Sequence, residues 1–344
     1  MTEKHVGQNE VQRPALEVPK PLRVGFVGTG GITARHIQAL QEIGNVEVAA
    51  ITGRSVEKAE ALIQKAGLGG KAAAYDDFQR MYGQANLDAV YITVIPSAHG
   101  QIEKSALDHN LALFVEKPLS ADADTAEEIA AAIKAKGAIS AVGYQMRYMN
   151  TTETAQELVK LHPARLALGH WLDSLPPPRW WSRQEESGGQ VVEQSTHMFD
   201  LARLLVGEVK QVYALGRNTS SPESGIDVDR VSVVTLEFAN GVIGTISSTS
   251  LLKSKYRDSL ELIADGLTLS LTHDHLLIDE GKGQARTEEL SVDPFIRINY
   301  DFLDAVAGGT NRIRSDYADA LKTHRVTQAA ARAARENRVV TIEG

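Results

Sequence analysis

From Leu22 onward, short apolar runs rich in β-branched residues alternate with segments of helical periodicity. This alternation constrains the chain more than any other feature. Strands buried on both faces belong to a parallel sheet whose crossovers are helices. The runs at 22–28, 46–52, 89–94, 112–115 and 139–142 read as such strands. Helices are expected through His36 to Ile43, over 56–66 with Gly67 closing, and over 125–136 with Asp124 as cap and Gly137 as terminator. After about residue 145 the pattern changes. A strand at 166–172 leads into a loop dense in Pro, Trp and charge, and then a single helix is expected from about Gln190 to Val206. Asn240-Gly241 and Asp265-Gly266 each sit between β-patterned runs, the strongest short signal for a hairpin. Two helices, 301–307 and 316–334, and a final strand in VVTIE complete the expectation.

The expected fold is therefore α/β. A doubly wound parallel sheet occupies 21–143, and an α+β domain with an open, mostly antiparallel sheet occupies 144–344. A polar tail at 1–20 is expected to be disordered. At 344 residues the chain exceeds what one core usually organises, and with 43% hydrophobic and 23% charged residues its composition is that of a globular protein. Lys plus Arg total 36 against 44 Asp plus Glu, a net charge of −8, which argues against a nucleic-acid partner. No apolar run approaches the roughly 18 residues of a membrane span, and the N-terminus lacks the apolar core of a secretion signal. The absence of cysteine excludes disulfides, Cys-ligated metal and a thiol nucleophile, and fits a cytoplasmic location.

Gly28-Thr29-Gly30-Gly31-Ile32 follows the first strand and opens the first helix. Gly28 permits the tight turn, and Gly30 lets backbone approach a pyrophosphate at the positive end of the helix. Thr33 stands where the third glycine of the dinucleotide fingerprint would be, so slightly looser helix–strand packing is expected there. Past the second strand the chain reads Thr52-Gly53-Arg54-Ser55, with no carboxylate to hold a ribose 2′-hydroxyl. An arginine and hydroxyls suit a 2′-phosphate, which favours NADP over NAD, although Ser55 also reads as an ordinary helix cap.

Pro96 and His99 follow one buried strand, and Glu116-Lys117-Pro118 follows another, at the strand ends where open α/β sheets bind ligands. Local sequence fits a surface ion pair and a catalytic lysine equally. On the helix from Gln190, Glu193, His197 and Asp200 share one stripe of an otherwise apolar surface, so the stripe should face a wet cavity or a ligand. Glu193 and His197, with His170, have partial metal-ligand spacing but lack the full pattern of a zinc helix, and no metal is expected. Trp171, Trp180 and Trp181 are candidates to pack sugar faces.

Together VGFVGTGGI at 24–32, PSAHG at 96–100, FVEKPLS at 114–120 and GGQVVEQSTHMFDLARLLVG at 188–207 resemble the glucose-fructose oxidoreductase / inositol dehydrogenase / rhizopine-catabolism (Gfo/Idh/MocA) family. The resemblance runs from Leu22 to the end. It implies a Rossmann domain, a C-terminal sheet that often forms the subunit interface, and hydride exchange between nicotinamide and a sugar, cyclitol or related carbinol. Lys117 matches the family's catalytic lysine and His197 its catalytic histidine; Glu193 stands where aspartate is usual. Arg147 matches an arginine near the site, with Tyr144 and Gln145 beside it. The loop bearing Trp180 and Trp181 is expected to cover the substrate. In oxidation, His197 would take the hydroxyl proton, aided by a pKa near neutrality, and Lys117 would stabilise the developing alkoxide. Two alternatives carry the same motifs: a glycoside hydrolase with retained nicotinamide, and a non-catalytic cofactor sensor. A homodimer or homotetramer is expected through the uncharged strand face of Ile243, Thr245, Ser247 and Thr249.

Overall fold

The computed structural model describes residues 15–342. Six strands form the first sheet: β1 (Leu22–Val27), β2 (Val46–Thr52), β3 (Ala73–Tyr75), β4 (Ala89–Ile92), β5 (Ala112–Val115) and β6 (Ser140–Val142). All pair in parallel, in the order β3-β2-β1-β4-β5-β6. Connecting them are α1 (Gly31–Ile43), α2 (Val56–Lys65), α3 (Phe78–Gln84), α4 (Gln101–Asp108) and α5 (Ala123–Lys136). The order reverses between β1 and β4, so the loops after these strands part from each other and leave a crevice at their C-terminal ends.

The second sheet has nine strands: β7 (Leu166–Ser174), β8 (Val209–Arg217), β9 (Val231–Phe238), β10 (Ile243–Leu252), β11 (Arg257–Ala264), β12 (Leu267–Thr272), β13 (His275–Asp279), β14 (Arg286–Glu289) and β15 (Val340–Thr341). Their order is β14-β13-β12-β11-β7-β10-β9-β8-β15, antiparallel except for the β7–β10 pair. Both expected hairpins form, at 238–243 and 264–267. The remaining helices are α6 (Asn150–Leu161), α7 (Gln184–Ser187), α8 (Gln190–Glu193), α9 (Thr196–Val206), α10 (Pro294–Val306) and α11 (Tyr317–Glu336). Along β10 the residues alternate. Ile246, Ser248 and Ser250 are buried under the helices, whereas Ile243, Thr245, Ser247 and Thr249 lie on the open face. No helix among the described residues is long and apolar enough to cross a membrane.

Several expectations are corrected. Residues 1–14 lie outside the described chain, but Leu16, placed in the tail, is buried in the core of the first sheet, and Asn45 Nδ2 donates to its carbonyl. The cap of α5 is Asp122, whose Oδ1 accepts from the N–H of Thr125 at 2.8 Å; Asp124 lies inside the first turn. The loop at 173–189 carries a 3₁₀ turn at Arg179–Ser182 and the short α7. The single helix expected over 190–206 is two, broken at Gln194–Ser195. At the break, the hydroxyl of Ser195 hydrogen bonds that of Ser248 in β10 at 2.6 Å, tying the junction to the second sheet. Finally, α10 packs its Ile298, Tyr300, Phe302 and Leu303 into the core of the first sheet, beside Tyr91 and Phe114. A helix late in the chain thus covers one face of the early sheet, and the two domains share a core.

Candidate active site

At the reversal point, Gly28 has φ +124°, and a Cβ there would lie 2.4 Å from the carbonyl of Thr93. Only glycine lets the loop after β1 cross the end of β4 so closely. Thr33 packs no more loosely than a glycine would. It is fully buried, and its hydroxyl hydrogen bonds that of Thr93 at 2.8 Å, which in turn donates to Val27 O. A hydroxyl pair does here what close backbone contact does in the usual fingerprint. By contrast, Cβ atoms on Gly30 and Gly31 would meet nothing within 4 Å, and Gly30, the N-cap of α1, makes no side-chain cap bond. The first N–H groups of α1 are therefore left to a ligand or to water, an arrangement that fits a pyrophosphate. Thr29 and Ile32 flank that opening in the same loop.

Beyond β2, Ser55 caps α2, its Oγ accepting from Lys58 N at 3.5 Å, while Arg54 is exposed. Gly53 is confined: a Cβ would sit 3.0 Å from Ser55 O and from Thr29 Cγ2. Replacement of Gly53 would crowd the loop as well as change its charge.

Three more candidates prove to be tied into the frame. His99 is buried and its Nδ1 pairs with Glu103 Oε1 at 2.5 Å, while Glu103 Oε2 accepts from Gly100 N and caps α4. Pro96 is buried at the start of the same 3₁₀ turn. Glu116 is also buried. Its Oε1 meets His36 Nε2 at 3.0 Å, its Oε2 accepts from the N–H of Lys117 at 3.2 Å, and His36 in turn meets Asn299 of α10. A Cβ on residue 143 would come within 2.2 Å of this carboxylate, so Gly143 makes room for it. The His36–Glu116 pair thus fixes the backbone from which Lys117 departs; the Lys117–Pro118 bond is cis.

The side chain of Lys117 crosses to the second domain. Its Nζ donates to both the carbonyl oxygen and Oε1 of Glu193, each at 2.9 Å. Glu193 Oε2 accepts from the indole N–H of Trp181 at 2.6 Å. Trp181 is accordingly buried, a support for Glu193 rather than an open sugar platform; Trp180 beside it is part-exposed. In the first turn of α9, His197 is buried between Trp171, stacked at 5.6 Å between ring centroids, and Tyr144, edge-on at 6.0 Å. Tyr144 is anchored through Thr196 Oγ1 at 2.8 Å, and burial raises its hydroxyl pKa. His197 Nδ1 has no hydrogen-bond partner. Burial first, then the charges of Lys117 and Lys255, hold its pKa well below 6.5. The expectation of a histidine titrating near neutrality is corrected: its ring is neutral throughout the physiological range.

Asp200 and Arg147 depart furthest from the sequence reading. Rather than facing a substrate, they face each other, buried, with Arg147 Nε and Nη2 donating to Asp200 at 2.7 and 2.6 Å. Arg147 Nη1 is taken by Arg314 O and Asp319, and Asp200 also accepts from Thr323. The charge of Lys117 still acts on His197 across the break before α9, but Glu193, His197 and Asp200 no longer form one helical stripe. His170 is likewise elsewhere, pairing with Glu261 at 3.2 Å. Among the described residues no group of three His, Asp or Glu is placed to hold a metal.

Sequence reasoning missed Lys255 and Asp258. Lys255 lies in the β10–β11 connection with its Nζ 5.1 Å from the ring centroid of Trp171, and Asp258 holds it at 3.1 Å. Nothing in the string KSKYRD marks this lysine, because the strand pairing alone brings it to the site. His36 was more legible: it shares the buried face of α1 with Thr33, Ile37 and Leu40.

Residues 22–144 match the model of an oxidoreductase family with an NAD-binding Rossmann fold, and residues 154–270 match the Gfo/Idh/MocA C-terminal domain. The chain is 27% identical over 250 residues to the myo-inositol 2-dehydrogenase of Thermotoga maritima, spanning 70% of this chain and 72% of that protein. It is 28% identical over 229 residues to the D-xylose 1-dehydrogenase (NADP(+)) 2 of Haloferax volcanii, spanning 65% and 68%. Levoglucosan dehydrogenase, solved in complex with NADH, superposes with a TM-score of 0.83 over 94% of this chain and 100% of that one, at 18% identity, a likeness of fold.

Proposed function

This chain belongs to the Gfo/Idh/MocA oxidoreductase family, and from that premise we propose that Lys117 and His197 handle the proton when a carbinol of a sugar or cyclitol is oxidised. The enzyme is an NAD(P)-dependent dehydrogenase or reductase acting on CH–OH groups. The observation that carries the residue assignment is the pairing of a clamped ammonium with a neutral, unpartnered imidazole. The ammonium has three donors, and Glu193 occupies two directions of Lys117. The third is left for the substrate oxygen, where it stabilises the developing alkoxide. His197 takes the hydroxyl proton. Glu193, with both carboxylate oxygens engaged, is a positioning residue. Tyr144 and Trp171 wall the imidazole from water.

The dinucleotide is held by the loop 28–32 with the N-terminus of α1, by Gly53-Arg54-Ser55 around the ribose, and by Pro96, His99 and Glu116 as the rigid floor. When bound, its nicotinamide accepts or delivers the hydride. The exposed Arg54 and the absence of a carboxylate at 52–55 favour NADP over NAD. Two copies are proposed to pair through the open face of the second sheet, where Val233 is 50% and Ile243 57% exposed, and the cysteine-free chain is assigned to the cytoplasm. Screening neutral sugars, cyclitols and sugar acids for absorbance change with each cofactor tests the reading. Turnover that survives in both Lys117→Met and His197→Asn would overturn it.

A further inference from the structure

Lys117 and Glu193 account for one side of His197; the other side carries polar groups that the oxidation of a simple carbinol does not use. Trp171 stacks on His197, and its indole Nε1 is buried with no hydrogen-bond partner. The ammonium of Lys255 stands over the same indole at 5.1 Å. Two unpartnered buried atoms, Trp171 Nε1 and His197 Nδ1, thus lie on stacked rings beside an ammonium. A buried N–H left without an acceptor costs about 1–3 kcal/mol, so the indole donor calls for a ligand atom. The ligand atom must be an acceptor, since an indole N–H only donates.

The charges around this spot specify the acceptor further. Asp258 holds Lys255 through Oδ2 at 3.1 Å, and its Oδ1 is taken by His273 Nδ1 at 2.8 Å. Glu193 has both oxygens engaged as well. The charges acting on the buried imidazole are those of Lys117 and Lys255. Both carboxylates are therefore committed, while two cations act on the region where substrate must sit. Asp258, 4% exposed, and the Trp171 ring hold the ammonium of Lys255, whose side chain is 40% exposed and so is reached from solvent.

We propose that Lys255 and the indole N–H of Trp171 form a subsite for a carboxylate on the substrate, so that the carbinol oxidised belongs to a sugar acid rather than a neutral sugar or cyclitol. The inference rests on the oxidoreductase reading of the same site and narrows its substrate class. The acid's carboxylate binds at Lys255 and Trp171. Its neighbouring hydroxyl lies between Lys117 and His197, losing its proton to His197 as its carbon gives up the hydride to the oxidised nicotinamide. The hydride takes both electrons and one proton from the carbon, the hydroxyl proton goes to His197, and a keto acid is the product.

The experiment compares acid and neutral partners of one carbon skeleton, D-glucuronate with D-glucose and D-galacturonate with D-galactose, in wild type, Lys255→Met and Trp171→Phe. Steady-state kinetics are paired with calorimetric binding of the same four compounds to the NADPH complex. Thermal melts and NADPH titration check that each variant is folded. The expected result is that wild type favours at least one acid over its neutral partner by about 10- to 100-fold in kcat/KM, the scale of one charge-assisted hydrogen bond. Lys255→Met brings that ratio to near one by raising the acid's KM, and Trp171→Phe, which keeps an aromatic ring but removes the N–H donor, lowers it in part. A neutral preference in wild type, or equal losses for acid and neutral partner in Lys255→Met, overturns the proposal. If nothing turns over but acid binding still depends on Lys255, the subsite stands and the redox reading fails. If no acid binds more tightly than its neutral partner, the subsite fails whatever the turnover.

Discussion

Lys117 and Glu193, 76 residues apart in sequence, meet twice: the lysine ammonium donates to both the side-chain carboxylate and the backbone carbonyl of the glutamate, at 2.9 Å each. The contact joins the end of a strand in the first domain to a short helix in the second. The direction of the ammonium is therefore set by how the domains pack. The glutamate also reaches Trp181, so one side chain braces both the lysine and the loop that carries Trp181.

Glu193→Gln should accordingly impair turnover, although Glu193 does not touch the reacting atoms. An amide offers one acceptor oxygen where the carboxylate offers two, so either Lys117 or Trp181 loses its partner. A fall in kcat of about 10- to 100-fold is expected, the cost of a misplaced catalytic group, with NADPH affinity kept. Steady-state kinetics and cofactor fluorescence titration check this, and Glu193→Asp separates charge from reach.

Removing the reacting pair should be more damaging. Lys117→Met and His197→Asn are each expected to lower kcat by about 10²- to 10⁴-fold, the range for general acid–base groups, and the double variant by less than the product, because both serve one proton transfer. Since His197 titrates well below 6.5, the free enzyme's kcat/KM for oxidation should show no acid limb near pH 6.5; the limb is expected at lower pH. A stopped series from pH 5 to 8 decides it.

Acid stability follows from two buried histidines. His197 and His324 both have folded pKa values below 6.5, burial being the first cause in each. Above about pH 6.5 both are neutral in folded and unfolded chains and add no pH dependence. As pH falls below it the unfolded chain takes up protons that the folded one refuses. Stability then drops by up to about 1.4 kcal/mol per pH unit per histidine until the folded pKa is reached. Melts between pH 7.5 and 5 should show this decline, and His324→Gln should make it shallower. Glu261 contributes no loss in that window. Burial alone would raise its pKa, but hydrogen bonds from His170, Ser259 and Arg257 hold it at about 2.

Arg147→Met should act on stability rather than on substrate binding. It leaves Asp200 buried and unpaired, a loss of about 3–5 kcal/mol for one partner of a buried ion pair. Urea unfolding should show the shift. A KM effect without destabilisation would return Arg147 to the substrate site.

For the cofactor, the crowding at Gly53 makes Arg54 the cleaner position to change. Arg54→Ala is expected to weaken NADPH binding by about tenfold, the scale of a lost charge-assisted contact, with little effect on NADH. Equal effects on both cofactors would show that the arginine does not meet the 2′-phosphate.

What the sequence determined by itself was the alternation of buried strands and helices, the glycine loop and both hairpin turns. These are local signals: hydrophobic period, turn chemistry, and glycine where a Cβ has no room. Lys117 and His197 were singled out by resemblance to a family. Tertiary structure decided the pairings. Sequence spacing put Glu193, His197 and Asp200 on one stripe. A hydrogen bond from Ser195 to Ser248, residues on different elements, accompanies the break in that helix. Asp200 is turned to Arg147, Glu193 to Lys117 and Trp181, and His197 to Trp171. Lys255 gave no sequence signal because its position follows from β11 pairing with β7, the strand that carries Trp171. The charge state of a side chain depends on what surrounds it in three dimensions, so the burial that keeps His197 neutral could be read only from the packed structure.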